Sequence, residues 1–265
     1  GRKEGEGDID IAVIKLPHIS NFTDFNALEN MPEVRVRYVE RPSDIGEPDM
    51  IILPGSKNTI EDLMFVRNTG IEEEIKRLHC EGALIFGICG GYQMLGMEIE
   101  DPHQTETNLL KTRGMGLLNI KTVFQQKKIT TQVEAVVSGN SGVLEGLEGK
   151  RVTGYEIHMG ATEYMAGCIP YLKIDKVLGR ESEKIDGVRN EEGSVFGTYI
   201  HGIFDSVEFT AGLLNNLRKR KGLEEMNAEN MGFKEFKEIQ YNKLADMLRK
   251  NLDMEKIYKI VNGEV

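Results

Sequence analysis

The run Ala83-Leu84-Ile85-Phe86-Gly87-Ile88 carries no polar side chain and ends abruptly at Cys89, after which a helical stretch continues from Gly91 to Met97. A strand that is apolar on both faces must be covered on both, which is the condition of a strand inside a parallel sheet flanked by helices. The same punctuation occurs upstream. Asp49 to Leu53 is a short apolar strand that stops at Pro54-Gly55-Ser56, and a helix is predicted from Thr59 to Val66 with Asn58 or Thr59 as its cap. A second helix, about Ile71 to Glu81, leads into the strand before Cys89. Ile9 to Leu16 and Val34 to Val39 read as two further strands, with a helical turn across Phe22 to Glu29 between them. This order predicts an α/β fold: a doubly wound, mainly parallel sheet with helices on both faces. Ligands in such sheets sit at the carboxyl ends of the strands, where Pro54 to Ser56 and Gly87 to Gly91 both fall.

Beyond Gly116 the pattern changes. Gly116 to Phe124, Lys128 to Val137, Lys150 to Ile157 and Val195 to His201 read as strands separated by turns, which predicts antiparallel extensions of the sheet. From Glu208 the apolar residues fall at helical spacing (Leu213, Leu214, Leu217; then Leu244, Met247, Leu248, Leu252), and Arg218 to Lys221 place positive charge where a helix C-terminus favours it. Residues 1–8, charged, glycine-rich and without a starting methionine, read as a linker behind an upstream domain. Residues 9–205 form the expected core, and 206–265 a helical C-terminal extension of the same domain.

Charge narrows the partners. A formal net charge of −10 argues against nucleic acid and anionic membranes, which are held by surplus Lys and Arg. No stretch reaches the roughly 18 to 20 apolar residues of a membrane helix and no signal-peptide pattern opens the chain, so the cytoplasm is the expected compartment. The three cysteines lack metal-type spacing, and neither a disulfide framework nor a metal site is expected.

Gly87-Ile88-Cys89-Gly90-Gly91 fits GxCxG, the cysteine form of the nucleophile elbow. Small neighbours are needed because Cβ atoms would collide in so tight a strand-to-helix turn, and the turn is expected to push the sulfur into the open. The helix N-terminus favours a thiolate, and the Gly90 N–H is aimed to hold an oxyanion. A thiol nucleophile also needs a base. His201, in Phe196-Gly197-Thr198-Tyr199-Ile200-His201-Gly202, stands at a strand end; His158, in Gly154-Tyr155-Glu156-Ile157-His158-Met159-Gly160, is its rival. His18, His79 and His103 lie in loop or helix contexts.

The elbow with its continuation Tyr92-Gln93-Met94-Leu95-Gly96, together with Gly197-Thr198-Tyr199-Ile200-His201-Gly202-Ile203-Phe204-Asp205, resembles the class I, or triad, glutamine amidotransferases. More narrowly it resembles the cobyric acid synthase group of cobalamin biosynthesis. Leu53 to Thr59, Ser20 to Phe25 and Gly154 to Gly160 match that group, and the resemblance runs from about Ile9 to the C-terminus.

The resemblance implies a glutaminase. Cys89 attacks the glutamine side-chain amide, and N–H groups of Gly90 and of the Gly55-Ser56 loop hold the oxyanion. His201 moves the protons, and Gln93 contacts the substrate. It also implies an N-terminal synthetase domain, using ATP and Mg, that passes the ammonia to propionate side chains of a corrin. This chain contains no GxxxxGK[ST], so no cofactor is expected within it. Standard class I enzymes carry a glutamate two residues after the base, where Ile203 stands here. Asp205, Glu156 and Glu163 are the candidates to orient His201 in its place, with Glu156 and His158 also candidates for the interface to the synthetase. Weak activity of the isolated domain is expected on that ground. Alternatives within the same chemistry are the glutaminases of cobyrinic acid a,c-diamide synthase and of peptidoglycan-precursor amidation. Outside it stand an α/β-hydrolase-type cysteine hydrolase and a DJ-1-like redox sensor.

Overall fold

The computed structural model describes residues 7–226 and 233–263, without the side chains of 233–240; most of the expected linker thus lies outside the described residues. The chain divides into two compact units at Met231/Gly232.

In the first unit the strands are β1 (Ile9–Ile14), β2 (Val34–Val39), β3 (Met50–Leu53), β4 (Leu84–Ile88), β5 (Glu98–Glu100), β6 (Lys111–Arg113), β7 (Ile120–Val137), β8 (Arg151–Tyr164), β9 (Ile169–Val177), β10 (Arg180–Arg189) and β11 (Val195–Thr198). Its helices are α1 (Asn26–Glu29), α2 (Pro42–Ile45), α3 (Thr59–Asn68), α4 (Ile71–Cys80), α5 (Gly90–Leu95) and α6 (Val207–Arg220). The second unit carries α7 (Phe233–Asn251) and α8 (Met254–Val261).

One sheet runs in the order β2-β1-β3-β4-β11-β10-β9-β7-β5-β6, with β8 paired to β7. The five strands from β2 to β11 are mutually parallel, as the apolar runs require. Every residue of β3, β4 and β11 is buried. Each fully buried Ile, Leu or Phe there stabilises the sheet by about 1.5–3 kcal/mol. Ile71, Ile75 and Leu78, one turn apart along α4, are buried. The Asn58 side chain accepts the Glu61 N–H and starts α3.

The antiparallel half differs in detail from the sequence expectation. The two strands expected over 116–137 are one strand, β7, whose register against β8 shifts between Phe124 and Ile129. The bulge takes up exposed Gln125 to Lys128 without ending the strand. β9 and β10 were not expected at all. Their interleaved charges (Lys173, Lys176; Glu181, Glu183, Lys184) mask the alternation, because the turn end of this hairpin is exposed although both strands lie inside the sheet between β11 and β7. At the end of α6, Arg218 binds Asp8 at 2.5 Å and Lys221 binds Asp49 at 2.8 Å, so the basic run also ties the helix to the amino ends of β1 and β3.

Candidate functional site

Neighbouring carboxyl ends of β4 and β11 build the site. Their register pairs Ile88 with Thr198, and the Cys89 N–H donates to the Thr198 carbonyl at 2.9 Å. Cys89 caps α5 with φ 50° and ψ −107°, a conformation that is strained for a side-chain-bearing residue. Its surroundings make the glycines obligatory. A Cβ on Gly91 would lie 1.9 Å from the Leu53 carbonyl oxygen, and one on Gly90 would lie 2.9 Å from the Ser56 nitrogen. The Gly90 approach also brings the Pro54–Ser56 loop against the elbow, as an oxyanion pocket shared by the two requires.

The elbow does not leave the sulfur in the open, however. Cys89 is only 6% exposed, and its thiol donates toward the Ile157 carbonyl at 3.5 Å. Burial pushes the thiol up to about 12; the Gly90 N–H offsets this only in part, and the charges of Asp24, Glu106 and Asp186 add to it. The correction comes from β8, which lies across the elbow and is invisible in the local motif.

The same strand locates His201. Tyr155 exchanges two backbone hydrogen bonds with His201 (2.8 and 3.2 Å) and stacks its ring on the imidazole, centroids 5.2 Å apart. Ile157, whose carbonyl meets the sulfur, is two residues further along β8. A single strand thus touches both groups. His201 is fully buried, with the Asn21 side-chain nitrogen 2.8 Å from Nδ1 and 3.0 Å from Nε2, and an Asp24 carboxylate oxygen 2.8 Å from Nδ1. His158, the rival base, stands apart: its ring stacks on Tyr199 at 3.8 Å and its Nδ1 meets the Gly160 carbonyl at 2.7 Å.

Gln93 is buried, its Oε1 accepting from the Thr59 hydroxyl and its Nε2 donating to the Tyr199 hydroxyl, each at 3.2 Å. The same interactions fix it at the base of the elbow. Ser56 donates its hydroxyl to Asp62 at 2.6 Å, and a Cβ on Gly55 would lie 3.0 Å from the His201 ring, so the loop packs directly against the imidazole.

Of the acids expected to orient His201, none takes its Nδ1. Glu156 is buried but bound to Lys184 at 2.7 Å, with His158 Nε2 at 3.8 Å. Glu163 is exposed and stands opposite Lys121 in the β7–β8 ladder. Asp205 lies in the turn Ile203–Asp205, its N–H bonded to the Gly202 carbonyl. Ile203 itself is fully buried.

Two further acids were missed in the sequence. Glu106 accepts the Ile60 N–H at the start of α3 and is pushed up to about 7 by burial, and its charge adds to the field that holds Cys89 protonated. Asp186, on β10, accepts the Thr198 hydroxyl and the Tyr199 N–H, and burial pushes it up to about 6. The folded chain therefore retains the Asp186 proton where the unfolded chain, near the ordinary value of about 4, has lost it. Stability should fall as pH rises from about 4 to about 6, then level off. Asp186→Asn is expected to remove that component. Chemical denaturation across this range would show a flatter pH dependence in the variant, and identical slopes would contradict the assignment.

Among the described residues no group of three or more His, Cys, Asp or Glu side chains is placed to hold a metal ion. Nor is any described helix long and apolar enough to cross a membrane. Cys80 and Cys168 are unpaired and apart from the elbow.

Residues 10–209 match the model of the CobB/CobQ-like glutamine amidotransferase domain. The chain is 51% identical over 253 residues to a cobyric acid synthase of Clostridium tetani, covering 96% of this chain and 49% of that protein. It is 48% identical over 261 residues to a cobyric acid synthase of Alkaliphilus metalliredigens, covering 98% and 52%. It therefore spans about half the length of the curated relatives it matches. Among solved structures, a chain of PurLQS from Thermotoga maritima superposes with a TM-score of 0.62 at 25% identity, over 79% of this chain and 99% of that one. The doubly wound sheet, the elbow and these matches agree: the chain belongs to the CobB/CobQ-like glutamine amidotransferase family.

Proposed function

We propose that this chain is the glutamine-hydrolysing part of a cobyric acid synthase, with Cys89 as nucleophile and His201 as its base. The observation that carries the reading is the strained cysteine between β4 and α5, bridged by β8 to a buried histidine on the neighbouring strand end.

The raised thiol pKa makes the base necessary, since a group near 12 yields almost no thiolate at neutral pH. His201 takes the thiol proton as sulfur adds to the amide carbon of glutamine, and the oxyanion that forms is held by N–H groups at Gly90 and the Gly55-Ser56 loop. The imidazolium returns its proton to the departing nitrogen, the C–N bond breaks, and ammonia leaves a glutamyl thioester. Water then adds with His201 again as base; the C–S bond breaks, the thiol is reprotonated and glutamate departs. Gln93 fixes the floor of the site for the substrate. A redox-sensor role is disfavoured by the same burial, because sensor thiols are accessible and of low pKa.

In the full-length protein, ATP and its magnesium serve the other half, and the ammonia amidates carboxylates of a corrin ring. His201→Ala in that protein is expected to abolish amidation supported by glutamine while leaving amidation supported by ammonium salts intact, measured as product formed with each nitrogen source. If the unaltered protein amidates from ammonium alone, the glutaminase reading fails.

A further inference from the structure

We infer that Asp24 is the positioning residue of His201, supplying from the opposite end of the chain what Ile203 cannot; this rests on the proposed function above. Asp24 is 2% exposed and His201 fully buried, so the pair is shielded from solvent. One carboxylate oxygen lies 2.8 Å from His201 Nδ1, and the other accepts the N–H of the next residue, Gly202, at 2.9 Å. Two contacts to consecutive residues fix the carboxylate in both position and rotation. An ionised carboxylate only accepts hydrogen bonds, so Nδ1 must carry the ring proton and Nε2 keeps its lone pair. That is the tautomer a base needs.

The local fold holds Asp24 there. Asn21 adopts a left-handed conformation (φ 55°) and starts the 3-10 turn Phe22–Phe25, and the fully buried Phe25 anchors the turn edge-on against Tyr38. The Asn21 amide nitrogen, 2.8 Å from Nδ1 and 3.0 Å from Nε2, stands against both ring nitrogens and is not aligned with either lone pair, so the in-plane contact at Nδ1 is the one to Asp24. The acids nearer in sequence are engaged as described: Glu156 with Lys184, Glu163 on the exposed ladder, Asp205 in the turn behind Gly202.

A merely structural Asp24 would anchor its loop through Gly202 and no more. Asp24→Asn separates the two roles, because the amide oxygen still accepts the Gly202 N–H while the amide nitrogen becomes a donor toward Nδ1. In the chain as it stands, long-range 1H–15N spectra of His201 should show the proton on Nδ1, and on Nε2 in the variant. Alkylation of Cys89 by a diazoketone analogue of glutamine should slow by on the order of 10²–10⁴ in Asp24→Asn, the scale on which a wrong tautomer acts. Its pH profile should shift, its melting temperature should hold, and Asp24→Glu should recover part of the rate. A proton on Nε2 in the unaltered chain overturns the inference, as does an Asp24→Asn variant alkylated at the original rate with an unchanged pH profile. Failure of the unaltered chain to be alkylated at Cys89 would strike the glutaminase reading instead, and the tautomer would still decide on Asp24.

Discussion

Gly91→Ala is expected to abolish cooperative folding of the first unit. The added Cβ would lie 1.9 Å from the Leu53 carbonyl oxygen, 2.4 Å from its carbon and 2.8 Å from its Cβ. None of these is the far end of a flexible side chain. Leu53 is the last residue of β3 and is registered against Gly87 of β4, so relief would require two central strands to part. A substitution that forces such a shift belongs with the rare losses above about 4 kcal/mol. Because the overlap sits at the elbow, a variant that did fold would also have moved Cys89. Denaturant unfolding followed by circular dichroism checks this: loss of the transition, or a midpoint far below the original, is expected. A midpoint within a few tenths molar of the original would contradict the close β3–α5 packing at Gly91.

Cys89→Ser is the complementary case, a large loss of activity without loss of fold. The hydroxyl can replace the thiol toward the Ile157 carbonyl, and the site loses little volume, so stability should barely change. Hydrolysis of glutamine should fall by on the order of 10⁴ or more, since a removed nucleophile leaves only the contributions of binding and the oxyanion pocket. Ammonia released from saturating glutamine is the readout. A variant within tenfold of the original would remove Cys89 from the mechanism.

The parts of this architecture that could be read from sequence are those whose cause is local. β3 and β4 are apolar throughout because both faces are covered, and Cys89 is marked by glycines that the turn cannot do without. Long-range causes left weaker traces. β9 and β10 carry charges in both directions because the turn end of their hairpin is exposed, and the bulge in β7 passes for a break between two strands. Cys89 looks exposed until β8 is laid over it. Asp24 and His201 are 177 residues apart, and no local pattern around Ser20 to Phe25 announces that its aspartate meets an imidazole. Sequence therefore pointed to acids near His201 in the chain, whereas the contact is made by one that the fold brings there. The inferred role of Asp24 would supply what the absent glutamate does elsewhere, and activity of the isolated domain is the observation that bears on both.

Glutamine is expected to be cleaved through a covalent bond to Cys89. Acid quenching of this chain during turnover of isotopically labelled glutamine, followed by peptide mass spectrometry, tests it most directly. A glutamyl group is expected on the peptide that contains Cys89, absent from Cys89→Ser and lost on treatment with hydroxylamine. Turnover with no label on that peptide, or label on a peptide containing Cys80 or Cys168, would contradict it.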